Sequence, residues 1–256
     1  MITSFITEQG GVGKTSLCYH LGWYLASQGH SVLLVDIDPQ GCNLSFAMGV
    51  VDKDDKPGMR DILAGDVDIK DCIIPLTPNL SIIPGNGDSA AFESIQQVVM
   101  EKKLSPKCIR EVLDKVKDDY EYIFIDEGPS PSIVHWLVLS SVDDMVIPLI
   151  PDGKSIDGTK SILETYEVVK KTQNPNLRVR ALVFNMFDQR SNLSKVVYKQ
   201  MIELARAKGI PVAQTKIKQN APIRETYIAH EGITTYNPSC VGAKNYKELS
   251  TELFGV

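Results

Sequence analysis

The sequence predicts an α/β fold: a doubly wound, mostly parallel sheet with helices on both faces. Three observations carry this. Short runs rich in β-branched and aromatic residues alternate with longer stretches of helical pattern, as in successive βα units. An apolar run at the start, Met1-Ile2-Thr3-Ser4-Phe5-Ile6, leads through Gln9-Gly10-Gly11-Val12-Gly13-Lys14-Thr15 into a helical pattern from Ser16 to Leu25. A second apolar run, Tyr122-Ile123-Phe124-Ile125, closes on an acid, Asp126.

Taken in order, the first strand is expected at Ile2–Ile6, and the first helix at Thr15–Gln28, with Gly29 behind it as a carboxyl-terminal cap. A strand at Ser31–Val35 follows. The polar, turn-rich Asp52–Gly58 is a surface loop and not a domain linker. Next come a helix at Met59–Ala64, a strand at Leu80–Pro84, and helices at Ala90–Met100 and Lys107–Lys117. The acid-ended strand Tyr122–Ile125 precedes a helix at Ser130–Ser140, a strand at Asp144–Pro148 and a helix at Ile156–Lys171. A strand at Val179–Asn185, a helix at Leu193–Lys208, a short strand near Pro211–Thr215 and a helix at Ala243–Leu253 complete the pattern. At 256 residues, without repeats or low-complexity tracts, residues 1–256 are expected to form one domain.

The composition is that of a soluble globular protein, 43% hydrophobic and 23% charged, with no apolar run long enough to span a bilayer. Because the first residues are expected to form a strand leading into the glycine loop, no cleavable signal is expected there, and a cytoplasmic location is expected. Five scattered cysteines with no Cys-x-x-Cys pair are expected to be reduced, structural thiols. Net charge is −5, but it is unevenly placed. Residues 1–177 hold 15 Lys and Arg against 26 Asp and Glu, and residues 178–256 hold 12 against 6. A basic carboxyl-terminal third marks either a polyanion-binding face or a solvated surface.

The strand–loop–helix context makes the glycine stretch a phosphate-binding loop. Backbone amides of Gly10, Gly11, Val12 and Gly13, with those of Lys14, Thr15 and Ser16 at the helix start, would cradle phosphate oxygens. Lys14 would reach the β- and γ-phosphates, and the Thr15 hydroxyl would ligate Mg²⁺. The second strand ends in Asp36-Ile37-Asp38-Pro39-Gln40, placing two carboxylates where open α/β sheets bind ligands. Asp126 has the form of a Walker B acid, meeting Mg²⁺ through a water. Glu127 beside it is either a base or an acid pointing away from the site; the latter is preferred. ATP and Mg²⁺ are the expected substrate and cofactor.

The compact two-glycine loop and Asp36-Ile37-Asp38-Pro39-Gln40 resemble the deviant Walker motifs of the ParA/MinD family of P-loop ATPases. Met59-Arg60-Asp61-Ile62-Leu63, Leu80-Ser81-Ile82-Ile83-Pro84-Gly85 and Asn185-Met186-Phe187-Asp188-Gln189-Arg190 are also similar to family segments, so the likeness spans nearly the whole chain. It implies that Asp38 orients the attacking water or the Mg²⁺ shell, that Asn185 hydrogen-bonds the adenine edge with both faces of its amide, and that Pro222 packs on the ring. It also implies an ATP-dependent homodimer that binds nonspecific duplex DNA and is released by a cargo adaptor, McdB-like or ParB-like. That places it on the nucleoid.

Two positions depart from the family pattern. Gln9 occupies the place of a lysine that crosses the dimer interface, and Glu127-Gly128-Pro129-Ser130 replaces x-Pro-Pro-Ser. Lys154, on a short glycine-containing loop after the strand ending at Pro148, is expected to supply the missing cation; the other reading is a solvated lysine. A Gln with a later lysine looks most like the carboxysome-distribution branch, McdA, with plasmid or chromosome partition as the second reading. A MinD-like membrane protein is a further alternative, disfavoured because the last ten residues lack a basic amphipathic tail. So is an ATP-dependent metabolic enzyme, for which no additional catalytic cluster stands out. The expected DNA contacts are Lys195, Lys199, Lys216, Lys218, Arg224, Lys244 and Lys247.

Overall fold

The computed structural model describes residues 1–38, 42–50, 57–85, 91–129 and 132–256, with the side chains of residues 91–94 left aside. Pro39, Gln40, Gly41, most of the 52–58 loop, Ala90 and Ser130 therefore lie outside the described residues. β1 (Ile2–Phe5) leads to α1 (Lys14–Ser27), after which Gly29 adopts the left-handed conformation (φ 95°). β2 (Val32–Asp36) is followed by α2 (Asn43–Ala47), α3 (Met59–Ala64) and α4 (Ile69–Cys72). Then come β3 (Ile74–Thr77), β4 (Leu80–Ile83), α5 (Ala91–Glu101), α6 (Cys108–Leu113) and β5 (Tyr122–Asp126). α7 (Ile133–Ser141), β6 (Asp144–Leu149), α8 (Gly153–Thr172) and β7 (Arg178–Phe184) continue the alternation. α9 (Asn192–Lys208), α10 (Pro222–Ala229), α11 (Ile233–Tyr236) and α12 (Val241–Phe254) follow.

The seven strands form one sheet in the order β3-β4-β2-β5-β1-β6-β7, parallel throughout but for β3 against β4. Two-residue alternation sends successive side chains to opposite faces. Leu33, Val35, Ile123 and Ile125 join Ile62, Leu137, Ile162 and Met201 on one side. Val32, Leu34, Phe5 and Phe124 join Leu17, Leu21, Tyr246 and Leu249 on the other. Each face is thus a dry helix-on-sheet layer, the doubly wound architecture that the alternation predicts. No described helix is long and apolar enough to cross a membrane, and all five cysteines are free thiols.

Register sets the site. Asp36 of β2 pairs with Asp126 of β5, and Phe5 of β1 pairs with the same Asp126. The carboxyl ends of three adjacent strands therefore meet where β1 gives way to the phosphate loop. From β1 the chain winds to β2 on one side and later to β6 on the other, a switch point of the kind where open α/β sheets bind ligands.

Several elements differ from the sequence reading. The strand expected near Pro211–Thr215 reduces to one parallel bridge between Val212 and Leu182. β3 is an addition to that reading; Pro75 interrupts its pattern, which a lone antiparallel edge strand tolerates. The Lys107–Lys117 helix closes at Leu113, followed by a 3-10 turn at Lys117–Asp119. α8 begins at Gly153 instead of Ile156, so Lys154 lies in its first turn and not on a loop.

Candidate functional site

The phosphate loop turns on glycine. Gly11 and Gly13 hold φ of +73° and +93°, which side chains rarely adopt. A Cβ on Gly13 would lie 1.9 Å from Asn185 Nδ2, so the loop closes against that amide. Lys14 opens α1 and is buried. Its Nζ donates to the carbonyls of Thr7 at 3.3 Å and Gln9 at 3.2 Å. Burial lowers its pKa, opposed by the charges of Asp126, Glu127 and Asp38. The ammonium therefore stands among carboxylates, held by two loop carbonyls.

The acids divide by their partners. Asp36 is satisfied structurally: its Oδ2 accepts from Ser45 N at 2.8 Å and Ser45 Oγ at 2.7 Å, and its Oδ1 from Asp38 N at 3.1 Å. Burial nonetheless pushes its carboxyl from 3.8 up to about 6. Asp38 accepts from Asn43 Nδ2 at 3.2 Å and lines the cavity. Asp126 is fully buried, and neither of its oxygens accepts a hydrogen bond within normal geometry. Burial and then Asp36 drive its carboxyl well upward, while the neighbouring Thr15 hydroxyl works against the rise.

Glu127 does not point away from the site. It is buried, lines the cavity, accepts from Ser4 Oγ, and lies 3.9 Å from His135 Nε2.

Lys14, Asp38 and Glu127 line a cavity of about 510 Å³, while Asp36 and Asp126 are fully buried outside its lining. Gly10, Gly11, Gly13, Lys14, Thr15 and Ser16 form one end. Val12 turns inward, buried, and gives its carbonyl to Asn185. Asn185 lines the cavity, but its amide is partly spent within the chain. Nδ2 donates to Val12 O at 2.8 Å, and Oδ1 accepts from Met186 N at 2.9 Å. That corrects the expectation of an amide free on both faces. Pro222 does not line the cavity; Ile223 and Tyr227 of the same helix do. Phe46, more than half exposed, adds a further apolar wall.

The expected DNA contacts scatter. Lys195 and Lys199 are exposed on α9; on α12, Lys244 is exposed and Lys247 half-buried. Lys218 and Arg224 instead line the nucleotide-sized cavity. The Lys216 ammonium sits over the Tyr198 ring, 4.3 Å from its centre. Lys154 is exposed and shares a separate cleft of about 810 Å³ with Gln9, Gly10 and Gly11.

The residues present suit a nucleoside triphosphate with a divalent ion. A glycine-built anion cradle, a buried lysine and an orphaned carboxylate beside a threonine hydroxyl supply the complementary charges. Among the described residues no three His, Cys, Asp or Glu side chains converge to hold a metal unaided. The donor set is that of a Mg²⁺ site completed by water and phosphate oxygens, the usual arrangement for that ion.

Comparison with known proteins agrees. A family model described as an AAA domain matches residues 1–179. The sporulation initiation inhibitor protein Soj of Bacillus subtilis is 34% identical over 98% of this chain and 97% of its own. The septum site-determining protein MinD of Pyrococcus horikoshii, solved with Mg-ADP, is 25% identical with a TM-score of 0.78, covering 99% of this chain and 95% of its own. An ATP complex of McdA from Cyanothece shares the fold at a TM-score of 0.86 and 19% identity, covering 100% of this chain and 96% of its own.

Proposed function

The chain belongs to the ParA/MinD family of P-loop ATPases, and from that membership we propose that it is a slow ATPase whose nucleotide state controls dimerisation, DNA binding and cargo positioning. Residues 1–256 act as one ATPase unit. The carrying observation is the orphaned Asp126 carboxylate facing Thr15 and Lys14 at the glycine cradle. In this reading the amides of residues 10–16 and Lys14 hold the phosphates of ATP, and Thr15 and Asp126 hold Mg²⁺. When bound, Mg²⁺ would neutralise part of the triphosphate's charge. Asp38, steadied by Asn43, orients the attacking water. Asn185 retains one N–H and one lone pair for the base, between the apolar walls of Ile223 and Tyr227.

The ATP-bound form is a homodimer with Lys154 reaching the partner's nucleotide. The dimer binds duplex DNA nonspecifically through Lys195, Lys199, Lys244 and Lys247, which places it in the cytoplasm on the nucleoid. An adaptor then stimulates hydrolysis and releases it. Gln9 together with Lys154 favours carboxysomes as cargo and an McdB-like adaptor. Similarity to the chromosome-partitioning ATPase Soj of Treponema pallidum, 33% identical over 97% of this chain, favours a second reading, chromosome or plasmid partition with a ParB-like adaptor.

The test is duplex DNA binding with ATP, with ADP and without nucleotide, at two salt concentrations. Tight, salt-sensitive binding with ATP alone is expected, because phosphate contacts release counterions. A folded protein that binds DNA in none of the three states would overturn the proposal.

A further inference from the structure

The Gln9 side chain is engaged within its own subunit at both ends. Nε2 donates to Asp152 Oδ2 at 3.0 Å and Oδ1 at 3.3 Å, and Oε1 accepts from Ser155 Oγ at 2.6 Å. Asp152 is the N-cap of α8, its Oδ1 accepting from Ser155 N at 2.8 Å. Ser155 Oγ in turn accepts from Ile150 N at 3.3 Å. The helix also packs close to the loop here: a Cβ on Gly158 would stand 3.5 Å from Gln9 Cβ. The Gln9 carbonyl, meanwhile, accepts from Lys14 Nζ at 3.2 Å. One residue thus joins the phosphate-loop lysine to the first turn of α8. Lys154 sits in that turn, between the two residues Gln9 grips.

A carboxamide suits this place because it carries donors and an acceptor in one plane. Its donor end meets the Asp152 carboxylate and its acceptor end meets the Ser155 hydroxyl. A lysine would bring three donors and no acceptor. It would leave Ser155 Oγ without its acceptor, and Asp152 of the same subunit would hold its ammonium in a charge-assisted bond. We propose that Gln9 is a positioning residue: it fastens the first turn of α8 to the phosphate loop, and so sets where Lys154 is presented, while Asp152 keeps a cation at position 9 from serving in its place. This rests on the reading of Lys154 as the cation that crosses the dimer.

The test compares wild type, Gln9→Ala, Gln9→Glu and the swap Gln9→Glu/Asp152→Asn as full chains. The swap reverses the donor and acceptor of the bond, and the carboxamide it places at position 152 retains an oxygen to cap α8. Amide hydrogen exchange over residues 150–158 is measured without nucleotide, and the monomer–dimer equilibrium is measured at saturating Mg-ATP. Exchange should quicken about tenfold in Gln9→Ala and at least as much in Gln9→Glu, the size of one lost charge-assisted bond, and return to within about threefold of wild type in the swap. Dimerisation should weaken and recover in the same order.

Unchanged exchange in Gln9→Ala overturns the latch. Restored exchange without restored dimerisation in the swap overturns the link to Lys154. A wild type that stays monomeric in Mg-ATP overturns the proposed function, and the link to Lys154 with it, while exchange reports on the latch separately.

Discussion

Asp126→Asn should make the nucleotide-free protein more stable while removing its response to Mg-ATP. The native carboxyl is fully buried, its oxygens lack hydrogen bonds, and Asp36 and Asp38 add like charge. A buried polar group left unpaired costs about 1–3 kcal/mol, and a charged one more. Asn cannot ionise and has nearly the same volume, so a gain of about 1–3 kcal/mol is expected at a pH where the wild-type carboxyl is ionised. For a chain of this length that is a rise of roughly 2–10 °C in melting temperature. Saturation of wild type at a hundred times its dissociation constant contributes about 2.7 kcal/mol, a shift of similar size. Thermal melts with and without Mg-ATP should therefore rank the variant above wild type without ligand and show little shift when ligand is added. A variant that melts at or below wild type without ligand, or keeps the full Mg-ATP shift, would refute the assignment of Asp126 as a carboxylate waiting for a cation.

Gly13→Ala places a methyl 1.9 Å from Asn185 Nδ2 at a φ of +93°. It should cost about 1–3 kcal/mol in denaturant unfolding and weaken binding of a fluorescent ATP analogue; unchanged values in both would contradict the loop geometry. Lys154→Ala alters an exposed side chain. It should leave the melting temperature in place and weaken ATP-dependent dimerisation about tenfold or more, the scale of a charge-assisted phosphate contact; a retained nucleotide-stabilised dimer would exclude the trans role. For pH, burial raises Asp36 from 3.8 to about 6 in the folded state. Its contribution is present below the unfolded value and lost as pH rises through about 6. Burial likewise raises Asp126 and Glu127. The nucleotide-free protein should thus melt lower at pH 7.5 than at pH 5, and a flat or opposite trend would contradict it.

Where the chain repeats a strong local pattern, the fold was legible. β1, β2, β5 and β6 are apolar runs ending at acids or glycine turns, and Met59–Ala64 matches its expected bounds. The short helices α2, α4, α10 and α11 span at most eight residues, too few for a helical period to stand out. In α10, Pro222 stands at the first helical position, where its missing N–H costs nothing. The cavity wall beyond the phosphate loop was hidden for the same reason. Ile223 and Tyr227 lie four apart, on one face of a helix too short to show in the pattern.

Partnering of side chains was the other gap. Asn43 on Asp38, Ser45 on Asp36 and Asp152 on Gln9 join residues whose proximity only the assembled sheet edge creates. Charge clustering likewise grouped Lys218 and Arg224 with the helix lysines, although the chain path carries them to the cavity.

If the cavity works as an ATP-operated switch, the bound nucleotide sets the oligomeric state. Sedimentation equilibrium of the wild-type chain in a slowly hydrolysed Mg-ATP analogue and in Mg-ADP tests it most directly. A dimer is expected with the first and a monomer with the second. The same mass in both, with nucleotide shown to be bound, would contradict it.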